Sequence, residues 1–260
     1  MEKKSIIKVR DLVAGYDDDI ILNGISFDVY EGEIFVVLGG SGCGKSTLLK
    51  LLIGLMPPIS GKVIIDGDDI SNCSENTFKG ILQKFGVLYQ SGALLGSMTV
   101  AENVALPIHE YTDLPKKSVD MLVKMKLGLV QLNGYENYLP SEISGGMKKR
   151  AGLARAMALN PRILFFDEPS AGLDPITSAG LDNLIIHLNK SLGTTMVIVT
   201  HELQSIFAVA HRVIMLDKHT KGIIAEGDPY YLKENSSNEF VKSFFNRKAE
   251  ENEEQTTVSL

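Results

Sequence analysis

A glycine, four residues, then Gly-Lys-Ser is a spacing suited to holding phosphate. The chain carries it as Gly39-Gly40-Ser41-Gly42-Cys43-Gly44-Lys45-Ser46-Thr47. Glycines let several backbone N–H groups converge on phosphate oxygens that side chains would block. A helix starting there adds free N–H donors and partial positive charge. Lys45 supplies a full charge for the terminal phosphates, and the Ser46 hydroxyl is placed to ligate Mg²⁺. Cys43, beside Lys45 at a helix start, is expected to favour its thiolate and to react with maleimide unless nucleotide covers it.

A second set of reactive residues lies far downstream. Asp167-Glu168 follows the apolar run at 163–166. Asp167 is expected to hold Mg²⁺ through water, and Glu168 to orient or deprotonate an attacking water. His201 ends another apolar run, where open α/β sheets place their ligands, and is expected to meet a γ-phosphate. Ser144-Gly145-Gly146 is a second glycine-rich helix start and a second candidate phosphate binder. Tyr16, just before an acidic turn, either stacks on a nucleotide base or is a surface tyrosine in a loop.

These residues need elements to position them. Residues 33–38 form a buried strand leading into the loop, and 46–53 a helix stopped by Gly54. Upstream, residues 6–31 suggest two strands around a turn at 17–19, the second with a break at Gly24. Strands are expected at 61–67 and 85–89, the latter delivering Gln90, with a short helix between them. Thr99 and Glu102 form a capping box for a helix through Leu106, stopped by Pro107. A helix over 115–127 puts Val119, Leu122, Val123 and Lys126 on one face, Lys126 being the misfit. Ser144 caps a helix with Met147, Ala151, Ala154 and Ala158 on one face. Its Lys148-Lys149-Arg150 suggests a solvated face rather than a nucleic-acid site. No strand pattern recurs between residue 91 and Ile163, so 91–158 is expected to be an inserted helical lobe. A helix ending near Gly193, a strand at 194–200, a hairpin at 212–227 and a helix at 238–246 complete the pattern. The fold class is α/β: an N-terminal antiparallel β subdomain, a mostly parallel core sheet flanked by helices, and the α-helical lobe. Residues 6–246 are expected to form a single domain, and 247–260 an acidic, disordered tail.

Composition narrows the function classes. The 260 residues are 44% hydrophobic, with a formal net charge of -6 and two cysteines, Cys43 and Cys73. The charge argues against a nucleic-acid partner. Two cysteines make no disulfide or metal framework. No apolar run approaches the ~20 residues of a membrane span, and the first residues show no secretory pattern. A cytosolic protein fits best, and any membrane role needs a spanning partner.

The ordered set resembles the ATP-binding cassette (ABC) ATPases over residues 6 to about 235. The resemblance makes Tyr16 the adenine-stacking aromatic, Gly39–Thr47 the phosphate loop, and Gln90 the glutamine that touches Mg²⁺ and links to the membrane subunit. Ile143-Ser144-Gly145-Gly146-Met147 is similar to the family signature, with Met147 where glutamine is usual. Asp174 becomes the dimer-contact aspartate and His201 the switch histidine. The resemblance implies ATP and Mg²⁺ as ligands. It also implies a second copy of the chain, whose Ser144, Gly145 and Gly146 would complete each site, and an integral-membrane permease. The stretches 90–94 and 98–107, the Gly-Gly-Met-x-x-Arg form and Asp174-Pro175-Ile176-Thr177 further resemble the ATPases of Mla-type phospholipid transporters. That resemblance implies an MCE-domain lipid-binding partner and a place on the cytoplasmic face of the inner membrane. Ala93, Leu94, Leu95 and Met98 either dock the permease or pack within the lobe. Rival readings are the ATPase of an amino-acid importer or a lipoprotein exporter. A DNA-acting member is disfavoured, because no long coiled coil fits between Lys45 and Asp167. A ribosome-acting one is disfavoured because the chain holds one cassette.

Overall fold

A computed structural model of the chain describes residues 4–17 and 19–247. The chain opens with two long antiparallel strands, β1 (Ser5–Tyr16) and β2 (Asp19–Tyr30). β2 is not broken at Gly24. Its register slips between Leu22 and Ile25, and Gly24, at φ 68°, absorbs the extra residue as a bulge. The chain then enters β3 (Ile34–Gly39), buried along its whole length, and turns through the glycine loop into α1 (Lys45–Leu52). β4 (Ser60–Ile65) returns to pair with β1, and β5 (Asp68–Asp69) follows at the edge, giving a sheet ordered β2-β1-β4-β5. α2 (Glu75–Leu82), capped by Ser74, leads to β6 (Phe85–Leu88).

The helical lobe is inserted between β6 and the next strand. It holds α3 (Val100–Tyr111), α4 (Lys116–Leu129) and α5 (Gly145–Ala156). The Thr99–Glu102 capping box forms as expected. α3 does not stop at Pro107, however, but continues a further turn. A proline inside a helix forfeits a hydrogen bond and costs about 3 kcal/mol. Here the turn beyond it buries Ile108, and the Thr112 hydroxyl donates to the Ile108 carbonyl, so packing outweighs propensity.

The remaining elements alternate: β7 (Ile163–Asp167), α6 (Pro175–Leu192), β8 (Thr195–Val199), α7 (Leu203–Val209), β9 (Arg212–Asp217), β10 (Gly222–Gly227), α8 (Pro229–Asn235) and α9 (Glu239–Asn246). The core sheet runs β10-β9-β3-β8-β7-β6, parallel throughout except for β10. Apart from Arg247, the tail expected at 247–260 lies outside the described residues. Among the described residues no helix is long and apolar enough to cross a membrane.

Side-chain alternation on β3 divides the core into two layers. Phe35 and Val37 face Leu48 and Leu51 of α1 and the inner face of β1, through Val9 and Leu12. Ile34, Val36 and Leu38 face the helices, through Val104, Ala151, Leu184 and Ile185. α1 is therefore clamped between two sheets, which fixes the loop at its start.

Candidate active site

Parallel pairing brings the predicted residues to one edge. Val37 of β3 and Asp167 of β7 both lie level with Val199 of β8. The glycine loop after β3, Asp167-Glu168 on β7, His201 after β8 and Gln90 after β6 thus all emerge at the C-terminal ends of parallel strands.

The loop is built to exclude side chains. At Gly39, φ is 149°, and a Cβ there would sit 2.4 Å from the Leu216 carbonyl oxygen and 2.6 Å from Cys43 Sγ. Gly44, also in the left-handed region, caps α1 with no side chain in the way. Gly40 is half-buried and Ser41, Gly42 and Ser46 are exposed, whereas Thr47 is buried. Lys45 Nζ folds back over the start of the loop, donating to the carbonyls of Gly39 (2.9 Å) and Gly40 (3.0 Å).

Cys43 departs from expectation. It is 2% exposed, and burial pushes its thiol pKa up, with the Lys45 charge opposing only in part. The thiolate is disfavoured. Maleimide at neutral pH should label the half-buried Cys73 first and Cys43 only on unfolding, as read by mass spectrometry of the two peptides. Rapid labelling of Cys43 that MgATP blocks would restore the original expectation.

Glu168 and His201 meet. His201 Nδ1 lies 2.8 Å from Glu168 Oε1. The histidine is 61% exposed and the carboxylate 15%. Glu168 has φ 45°, a conformation costing a non-glycine residue about 1–3 kcal/mol. Its Oε2 is buried and, among the described residues, is the buried side-chain acceptor without a partner. A buried acceptor left so costs about 1–3 kcal/mol, and a water donor would satisfy it. Next to it, burial and then the Glu168 charge push the Asp167 carboxyl up. Among the described residues no three His, Cys, Asp or Glu gather as a metal cage. Mg²⁺ is commonly held by one or two carboxylates, waters and substrate phosphates. The residues present fit it: Asp167, the Ser46 hydroxyl and the Gln90 side chain, exposed two residues past β6.

The Glu168 loop is held from behind by groups the sequence did not expose. Lys149, read as part of a solvated face, is buried at 5% exposure. Its ammonium donates to the carbonyls of Pro169 (2.5 Å), Ala171 (2.7 Å) and Glu168 (3.4 Å). Burial pushes its pKa down, against the pull of Glu202 and Glu168. Ser170 exchanges a hydrogen bond with Ser205 of α7, whose hydroxyl donates to buried Asp182 of α6. The loops carrying Glu168 and His201 are therefore tied together. A cation at the fifth position of an otherwise weakly amphipathic helix gives no signal of this burial.

The other expected residues lie apart. Ser144 is exposed, its Oγ accepting from the Met147 N–H, and Gly145 beside it is exposed as well. Gly146 approaches α6 so closely that a Cβ would come within 2.5 Å of Thr177 Cγ2. Met147 packs against the apolar core, which accounts for an apolar residue there. Asp174 is exposed and caps α6, accepting from the Ile176 and Thr177 N–H groups and the Thr177 hydroxyl. The Tyr16 ring is 45% exposed beside α1, with its oxygen accepting from Lys50 Nζ at 3.2 Å. Of the apolar stretch, Leu94 packs on the core, while Ala93 and Leu95 are exposed.

The family profile described as "ABC transporter" matches residues 22–171, from β2 to just past Glu168. The chain belongs to the ABC transporter family. It is 44% identical over 210 residues to the "Probable ribonucleotide transport ATP-binding protein mkl" of Mycobacterium tuberculosis, covering 81% of this chain and 58% of that one. It thus spans about 60% of the length of the mycobacterial relatives it matches. It is 40% identical over 232 residues to the "Intermembrane phospholipid transport system ATP-binding protein MlaF" of Escherichia coli, covering 89% and 85%. Among solved structures, cbiO1 of Clostridium perfringens, part of the ABC transporter complex cbiONQ, matches at TM-score 0.82 and 27% identity over 90% and 92% of the two chains. The dimeric cassette MJ0796 matches at 0.77 and 30% over 85% and 98%. These matches share the ABC fold seen here, with its antiparallel subdomain, its largely parallel core sheet and its helical lobe.

Proposed function

We propose that the chain hydrolyses ATP with Mg²⁺, as a dimer of two copies, and drives a membrane permease that moves phospholipid. The observation that carries the hydrolytic reading is Glu168, with one oxygen on His201 and the other buried and unpartnered, at the sheet edge where the phosphate loop also emerges. Gly39–Thr47 cradle the phosphates and Tyr16 stacks on the base. Glu168 accepts a proton from the attacking water, and His201 contacts the γ-phosphate. Ser46, Asp167 and Gln90 would hold Mg²⁺, which would offset charge on the phosphates.

The dimer follows from geometry within one chain. Ser144, Gly145 and Gly146 open α5, which packs on α3, α4, α6 and β6, whereas the phosphate loop opens α1 between the two sheets. A second copy brings the exposed signature to the phosphates, and Asp174 lies at that contact. A dimeric state of the related cassette MJ0796 bound to ADP and Pi supports this arrangement. Ala93 and Leu95 supply an exposed apolar face beside Gln90 for the permease.

The phospholipid reading rests on likeness to MlaF over most of both chains. It places the chain on the cytoplasmic face of the inner membrane, with an MCE-domain protein in the assembly and no nucleic acid. The test is purification of the tagged chain from detergent-solubilised membranes of its own host, with co-purifying proteins and lipids identified. A multispanning permease, an MCE-domain protein and bound phospholipid are expected. A permease with a solute-binding protein would keep the ATPase and overturn the substrate. Recovery with ribosomes or nucleic acid would overturn both.

A further inference from the structure

The lysine that interrupts the apolar face of α4 ends in a cavity at the opposite end of the core sheet from the phosphate loop. Lys126 is 2% exposed. Its ammonium donates to the Asn160 side-chain oxygen at 2.5 Å and has no carboxylate within 4 Å among the described residues. An ammonium carries three donors, so this one has two to spare. The cavity, of about 370 Å³, is lined by Lys126, Asn160 and Thr194 and by the apolar side chains of Met157, Leu164 and Leu192. It lies between the lobe, through α4, and the core, through the starts of β7 and β8.

The charge balance selects the occupant. Arg162 and Glu31 also line the cavity, but they bind each other at 2.7 Å. Arg162 additionally holds Asp66, and Glu31 holds Lys4. Of the charged groups lining the cavity, Lys126 has no opposite charge among the described residues, and burial pushes its pKa down. One uncompensated charge suits a monoanion. A phosphate dianion would leave one negative charge unmatched by Lys126.

We propose that this cavity binds a small monocarboxylate, its carboxylate on Lys126 and its short apolar chain against Met157, Leu164 and Leu192. Bound there, the ligand would tie the helical lobe to the core sheet away from the nucleotide. The proposal stands apart from the ATPase reading, since none of these residues belongs to the nucleotide site.

The test is titration of butyrate into the full nitrogen-15-labelled chain at fixed ionic strength, with chloride and neutral butyramide as controls. Saturable shifts centred on the amides of Asn160, Arg162 and Thr194 are expected with butyrate and not with butyramide. Lys126→Met should weaken binding by about tenfold or more, the worth of a charge-assisted hydrogen bond. Leu192→Trp, at a half-exposed rim position, should block the cavity without touching the buried lysine. Equal response to butyramide, shifts centred elsewhere, or unchanged affinity in a folded Lys126→Met would overturn the proposal. Should that variant fail to fold, the butyramide comparison and Leu192→Trp decide it.

Discussion

Glu168→Gln should bind ATP about as tightly as the wild type while turnover falls roughly 10²–10⁴-fold, the usual cost of losing a general base. The substitution is close to isosteric, so the 2.8 Å contact with His201 and the backbone at Glu168 have no steric reason to change. What changes is the buried oxygen. In the carboxylate, Oε2 is an acceptor free to take a hydrogen bond from water. In the amide, that place is either a donor or a far weaker base. ATP bound between two copies would then persist, so size-exclusion chromatography with light scattering should show a stable dimer with MgATP and a monomer without it. A monomeric Glu168→Gln protein with wild-type turnover would sink the assignment of Glu168 and the dimeric site together.

Most of this site was legible because its residues sit at strand ends. A phosphate loop between an apolar run and a helix needs no tertiary information to be recognised, and neither does a pair of carboxylates after a buried strand. Parallel pairing then does the rest, since β3, β6, β7 and β8 can present their following residues only on one edge. Three of the expectations that fail do so where packing overrides a local rule. Pro107 signals a stop, but the turn after it buries Ile108. The sequence neighbours of Cys43 favour a thiolate, but the loop folds its sulfur against Gly39, and desolvation dominates. The two basic neighbours of Lys149 suggest a solvated face, but α5 turns it toward three carbonyls that approach from a distant segment. α7 and α8 were missed altogether. Each has seven residues, too short for a periodic pattern to stand out.

Lys149 is also where the largest effect outside the reacting groups is expected. Lys149→Met should keep ATP affinity within about twofold and lower kcat by about 5- to 150-fold. The range follows from Glu168. Its left-handed backbone stores about 1–3 kcal/mol, and the carbonyls of Glu168, Pro169 and Ala171 are pinned by one ammonium. Without that clamp, relaxation of the loop would draw Glu168 out of its productive geometry by up to the strain released. A methionine fills similar volume but donates nothing, leaving three carbonyls short of a partner. Lys149→Arg keeps both charge and donors and should restore much of kcat. A loss of kcat with KM unchanged, reversed by arginine, marks a positioning residue. A parallel fall in Tm and kcat that arginine does not relieve would mark a merely structural one. Because Lys149 lies on α5, whose first residues form the exposed signature, the clamp also links that signature to the loop carrying Glu168 in the same chain. Contact of α5 with a second copy could therefore bear on hydrolysis in each, through a single buried side chain.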